Sequence, residues 1–160
     1  MPSPTPPHTV RGVPAGIHLE DGFSSKFAFA VNPTVSLWEI ETKPPGVDGG
    51  DAIDITTHHN VALRTRAPRQ LKSLTETTHK CAYDPQVITQ LLSIVNKPGG
   101  ITQYFPDGSS EDYFGYVRLV EFDPLVEGTF PTATVTVTPT NRDPVTRQEA
   151  LPVVTAVLGT

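Results

Sequence analysis

The chain has 160 residues, with 12 Lys and Arg against 17 Asp and Glu and a formal net charge of −5. That length is one domain by default, with room for a sizeable core, and the negative balance argues against a protein that grips nucleic acid by its phosphates. No apolar run approaches the ~20 residues of a membrane span, and the single cysteine, Cys81, excludes an internal disulfide and a thiol-built metal cage and suits a reducing cytoplasm or something assembled there.

Residues 1–14 are Pro-rich and polar, too poor in apolar side chains to fold alone. They lack the basic and apolar regions of a signal peptide. They read as a disordered leader in an isolated monomer, or as an arm that orders against a neighbouring subunit. The single domain is expected over 15–160. The chain holds 17 prolines, about twice the ~5% average. Beyond Pro7 they fall singly or in pairs between strand-like segments, the punctuation of an all-β chain.

Ile17 to Val31 begins a sheet, with Phe23, Phe27, Phe29 and Val31 on one face and Ser24, Lys26 and Ala28 on the other. After the Asn32-Pro33 turn, Val35 to Thr42 predicts a second strand. Trp38 and Ile40 share one side of it, Glu39 and Glu41 the other, and Trp38 is expected in the core. Lys43 to Asp51 is longer than a plain hairpin loop requires; it is either functional or a tolerated insertion. Ala52 to Thr57 alternates again, with Ile53 and Ile55 inward. Arg64, Arg66, Arg69 and Lys72 follow with no acid among them. They suggest phosphate contact or, more strongly, pairing with Asp48, Asp51 and Asp54 within or between chains.

The centre of the sequence reads strand, helix, strand. Leu71 to Tyr83 is strand-like, Asp84 offers a capping oxygen, and Pro85 has no N–H to leave unsatisfied. Val87, Ile88, Leu91, Leu92 and Val95 then recur at helical spacing, predicting a helix over about residues 85–96. Asn96-Lys97-Pro98-Gly99-Gly100 ends it, and Ile101 to Phe105 resumes as a strand before the Pro106-Asp107-Gly108 turn. Asp112 to Phe122 is apolar on both faces, with Tyr113, Val117 and Leu119 on one and Phe114, Tyr116, Val120 and Phe122 on the other. Thr132 to Thr138 alternates most cleanly, with Ala133, Val135 and Val137 inward. Leu151 to Leu158 is a last apolar segment, a candidate extended tail.

Candidate chemistry is sparse. His79 and Cys81 share a strand face two residues apart, as two ligands of one metal do, but neither they nor His58 and His59 acquire a third or fourth ligand at recognisable spacing. A buried Cys beside a satisfied His is the commoner arrangement. A Cys–His nucleophile pair lacks an orienting acid, no Gly-rich loop precedes a helix, and Asp107, Glu111 and Asp112 sit where a turn wants acids. No active site, metal or cofactor is expected.

An ordered set of features carries a resemblance. Residues 50–58 (GDAIDITTH) form a short strand entered from a Gly-rich loop. A basic loop reaches Pro68-Arg69-Gln70-Leu71, a polar strand ends at Tyr83-Asp84-Pro85, and the helix leads to Phe105-Pro106-Asp107-Gly108. The aromatic strand 113–118 (YFGYVR) and the Thr-rich strand at 132–138 complete it. Over roughly residues 16–140 this resembles the major tail tube proteins of long, non-contractile-tailed bacteriophages. Related folds serve in tail terminators, distal tail rings and contractile-tail or secretion tubes. The resemblance implies a mainly β, sandwich- or barrel-like body with one flanking helix. It also implies hexameric rings that stack into a hollow tube for DNA ejection, in a virion tail assembled in the host cytoplasm. The implied partners are copies of the chain, the tape measure, tail-tip and terminator proteins, and DNA passing without specific binding.

By position, Lys43, Pro44, Pro45, Gly46, Val47 and Asp48 match the loop that family members project onto the adjacent ring, with Arg64, Arg66 and Arg69 as further contacts. Glu39, Glu41, Asp54 and Glu76 are the candidate lumen-facing acids. The competing reading is a monomeric β-sandwich adhesion or carbohydrate-binding module, with Tyr104, Tyr113 and Tyr116 as a sugar platform.

Overall fold

Period-two alternation makes strand the main regular structure of the chain, and the computed structural model, which describes residues 25–35 and 37–156, is mainly β. The body contains β1 (Lys26–Phe29), β2 (Glu39–Thr42), β7 (Thr77–Ala82), β8 (Gly99–Tyr104), β9 (Ser110–Phe122), β10 (Thr132–Pro139) and β11 (Val153–Thr155). Between β2 and β7 lie four two-residue strands: β3 (Val47–Asp48), β4 (Ile53–Asp54), β5 (Arg66–Ala67) and β6 (Ser73–Leu74). The body strands form one 7-stranded sheet in the order β1-β8-β9-β10-β7-β2, with β11 beside the start of β9. All its pairs are antiparallel, and the sheet curls into a half-barrel. The curl brings the two edge strands together, where the Phe27 N–H donates to Glu39 Oε1 at 3.3 Å.

One helix, α1 (Pro85–Ser93), is present among the described residues. Asp84 caps it by accepting the Gln86 N–H at 3.0 Å, and Pro85 stands where no intrahelical donor is needed. It stops at Ser93 rather than at 96. Val95 bridges to Val117, and the Asn96 N–H donates to the Val117 carbonyl, which pulls the last predicted turn onto β9. Asn96 takes a positive φ of 62°, a conformation that asparagine tolerates. Ile88, Leu91 and Ile94 face the sheet, with Val87 and Val95 partly buried against the same core. Leu92, expected in the stripe, is half exposed.

The inner face is set by register. Cys81, His79 and Thr77 on β7 stand opposite Ala133, Val135 and Val137 on β10, all six fully buried. Val117, Gly115 and Tyr113 continue the face on β9, Ile101 and Gln103 on β8, Phe29 and Phe27 on β1. Gly115 is required by close approach, since a Cβ there would lie 2.8 Å from the Thr138 carbonyl oxygen.

Two bulges overturn the expected faces. Along β9–β10 the pairing jumps from Val137↔Val117 to Thr136↔Leu119, leaving Arg118 as the extra residue. A one-residue slip flips every later side chain. Leu119 therefore joins Phe114 and Tyr116 on the outer face, while Val120 turns inward with Val135. In the segment before β2 the buried residues are Val35 and Leu37, so the odd positions face in. Glu39 pairs with Cys81, Ile40 is the bulge residue, and Glu41 pairs with Lys80. Trp38 is 67% exposed and not core.

Candidate assembly surface

The segment from Lys43 to Glu76 does not add strands to the core. It extends the β2–β7 hairpin outwards through Val47↔Leu74 and Asp48↔Ser73, and then Ile53↔Ala67 and Asp54↔Arg66. Its base is tied to the body: Pro45 is buried, Leu74 packs against the core, and Gly46 and Thr75 exchange 2.9 Å hydrogen bonds. Beyond the base it is held by local polar contacts. The Gly50 N–H, at a φ of 76°, donates to Asp48 Oδ1, and Arg69 Nε donates to the Asp51 carbonyl at 2.9 Å. At the tip Asn60 is the clip: its Oδ1 accepts the Thr57 N–H, and its Nδ2 donates to the Leu63 carbonyl and to Thr65 Oγ1.

Every residue from 46 to 66 is exposed. Ile53 and Ile55, expected inward, are 44% and 49% exposed, and Val47, Val61, Leu63 and Leu71 lie open as well. With about 3.3 Å of rise per residue, a limb from Lys43 to Thr57 reaches at most roughly 50 Å. The projecting feature expected at Lys43–Asp51 is thus only the proximal part of a longer arm. Of the expected contact residues, Lys43, Pro44, Pro45 and Gly46 sit at its base and Val47 and Asp48 on its first ladder. Arg64, Arg66 and Arg69 lie on the returning limb. Arg64 meets Asp54 at 4.0 Å, both well exposed, an arrangement worth ~0–1 kcal/mol for surface pairs in general.

The four acids expected to face a lumen do not share one surface. Glu39 is half-buried on the inner face, where desolvation raises its carboxyl above the usual range. Asp54 is on the arm. Glu41 and Glu76 flank the outer face, where Glu76 accepts from Arg118 Nε at 2.9 Å and from Thr138 Oγ1 at 2.8 Å. Those hydroxyl and guanidinium contacts hold Glu76 below its ordinary value. The same face carries Thr132 and Thr134 donating to Asp123, which also pairs with Lys80 at 3.5 Å.

A second set of exposed apolar side chains, missed by sequence reasoning, includes Trp38 and Tyr83 at the other end of the β2–β7 hairpin. Trp38 stands beside α1 with its indole Nε1 3.4 Å from Asp84 Oδ2. Tyr83 packs edge-on against Phe122 at 5.7 Å between ring centres, and its N–H donates to the Pro131 carbonyl. Leu125, Val126 and Phe130 come next in the β9–β10 connection, and all six of these apolar side chains are between 43% and 81% exposed. The available signal was parity: once Val35 and Leu37 are inside, Trp38 must be outside.

The remaining candidates resolve into structure. His79 and Cys81 share the inner face as expected. His79 stacks on Phe27 at 4.0 Å and meets Thr77 Oγ1 at 3.1 Å, while Cys81 Sγ donates to the Ala133 carbonyl. His58 and His59 are on the arm tip. Among the described residues no three His, Cys, Asp or Glu side chains are grouped to hold a metal ion, and no helix is long and apolar enough to cross a membrane. Tyr113 is buried at 4% exposure, and Lys26 covers the Tyr104 ring at 5.0 Å, so the three tyrosines form no open sugar platform. The expected N-terminal arm, 1–14, and the strand positions 17–24 lie outside the described residues. No protein-family model matches the chain, and comparison with curated proteins gives no match.

Proposed function

We propose that this chain is a structural subunit that assembles with itself, a phage tail tube protein whose copies close into hexameric rings and stack into a conduit for DNA. The observation that carries the reading is the arm. A hairpin leaves the body over residues 43–76, exposes Val47, Ile53, Ile55, Val61, Leu63 and Leu71, and is covered by nothing in its own chain among the described residues. A single domain that extends apolar side chains on a stalk needs a neighbour to bury them. Its sheet also has open edges at β1 and β2, where among the described residues the Phe27 N–H to Glu39 carboxylate bond is the hydrogen bond across the gap, and at β11, which pairs β9 alone; these leave backbone groups for a partner to cover.

Acidity suits the proposed bore. Duplex DNA carries one negative charge per ~1.7 Å of axis, so a basic wall would hold it and an acidic, hydroxyl-rich one lets it slide. Glu41 and Glu76, with the threonines of β10, are the lumen candidates on the part of the outer face formed by β2, β7 and β10, and the reading assigns no catalytic chemistry to the chain.

Replacing residues 49–72 by an Asn-Gly turn tests the reading. The turn closes the hairpin at Asp48↔Ser73 and removes no buried residue. The shortened protein is expected to melt within a few degrees of the full chain and to sediment as a monomer. Unimpaired polymers from it would remove the arm from assembly.

A further inference from the structure

We propose that the hairpin over residues 140–150 forms, with Pro98 in front of β8, a binding site for an organic phosphate monoester held by Arg142 and Arg147. The site lies apart from the projecting arm and does not depend on assembly.

The hairpin is held by hydrogen bonds rather than by a core, since none of residues 140–150 is buried. The Thr140 N–H donates to the Phe114 carbonyl at 2.9 Å and ties the hairpin to β9. The Ala150 N–H donates to the Asn141 carbonyl and the Asp143 N–H to the Gln148 carbonyl, each at 3.0 Å. At the turn, Asp143 Oδ1 accepts the N–H groups of Val145 at 2.8 Å and Thr146 at 3.3 Å. Asn141 and Arg147 take positive φ angles of 55° and 61°. Asparagine tolerates that conformation, but arginine has no preference for it and a glycine would serve the turn better. Side chains kept at such positions are characteristic of ligand clamps. The Arg147 carbonyl also accepts Arg142 Nε at 2.8 Å, so the same turn fixes the second guanidinium.

Both arginines line one cleft of about 370 Å³, together with Pro98, Thr140, Asp143 and Pro144. That volume falls in the ~300–1,000 Å³ range of small-molecule sites. Among the described residues the Nη groups of Arg142 and the whole guanidinium of Arg147 have no hydrogen-bond or ion-pair partner. Asp143 is the carboxylate on this wall, and its Oδ1 is committed to the turn, so two arginines leave a positive excess. Two cationic forks facing one space repel each other until an anion lies between them. A phosphate monoester presents three acceptor oxygens and a charge of about −1.5 to −2 at pH 7, enough for both forks. Pro98 and Pro144 supply an apolar flank for the group that the phosphate carries.

Titration calorimetry of the full chain with phenyl phosphate, at two temperatures and in a low-salt buffer free of other oxyanions, tests the site. The expected Kd is ~1 mM or tighter, with inorganic phosphate and benzoate at least tenfold weaker. Arg147→Gly removes one fork and relieves the backbone. It is expected to weaken phenyl phosphate at least tenfold while its melting temperature is retained or raised, an outcome that a purely structural arginine would not give. Arg142→Gln is expected to weaken binding likewise, whereas Lys72→Gln on the arm leaves the Kd unchanged. Absence of binding at both temperatures, or equal losses in Lys72→Gln and Arg147→Gly, would overturn the site. Inorganic phosphate bound as tightly as the ester would mean an adventitious ion only, and a preference for benzoate would also overturn the assignment. A chain that stays monomeric yet binds the ester through these arginines would keep this site and lose the tube.

Discussion

His79 is fully buried, stacked on Phe27, and has a ring nitrogen, Nδ1, with no hydrogen-bond partner. Burial lowers its pKa to about 4. A histidine depressed in the folded state contributes stability above its unfolded pKa of ~6.5 and loses it as pH falls towards 4, because only the unfolded chain takes up the proton. Asp54, Glu76, Asp123 and Asp143 are held low mainly by hydrogen bonds and lose their contributions only as pH drops through the ordinary carboxylate range. Glu39 and Glu111, raised by desolvation, act in the opposite sense. The fall between pH 7 and pH 5 therefore belongs to His79. Urea unfolding is expected to show a loss of about 2 kcal/mol across that interval, absent in His79→Gln. Equal losses in both proteins would show that the imidazole is not the group responsible.

The arm and the sheet differ in what holds them. β10 is locked between β9 and β7 with Ala133, Val135 and Val137 at 0% exposure, while the arm rests on short ladders and hydrogen bonds open to water. Local opening is easiest where few apolar contacts must break. In monomeric protein the Ile55 amide, bonded to the Thr65 carbonyl, is expected to exchange at least 100-fold faster than the Val135 amide. Assembly is expected to slow it strongly. Equal protection in the monomer would mean that the arm is packed against its own body.

This contrast also marks what the sequence could and could not reveal. The helix was legible because Asp84, Pro85 and the Ile88–Leu91 spacing are local signals, and β10 because its alternation is uninterrupted. Ile53 and Ile55 alternate as a half-buried strand does, and nothing local reports that the wall they should face is missing. Arg118 and Ile40 look like ordinary strand residues, yet as bulges they reverse the faces of the strand residues after them. The loop at 43–48 was legible from its prolines and glycine, which the structure places at the start of the projecting hairpin. The exposure of Trp38 was not, because tryptophan is more often core.

The molecule as a whole is a half-barrel with an apolar arm at one end of a hairpin and exposed aromatic side chains, Trp38 and Tyr83, at the other. Such a body has a direction, and head-to-tail contacts between directed bodies generate rings where they close and filaments where they do not. Rings alone would fit a terminator, whereas tubes require that each ring present the surface on which the next is built. The most direct test is negative-stain electron microscopy of the purified full chain at high concentration. Six-membered rings and hollow tubes of uniform width are expected. A field of single particles, matched by a monomer mass in sedimentation at the same concentration, would contradict the account.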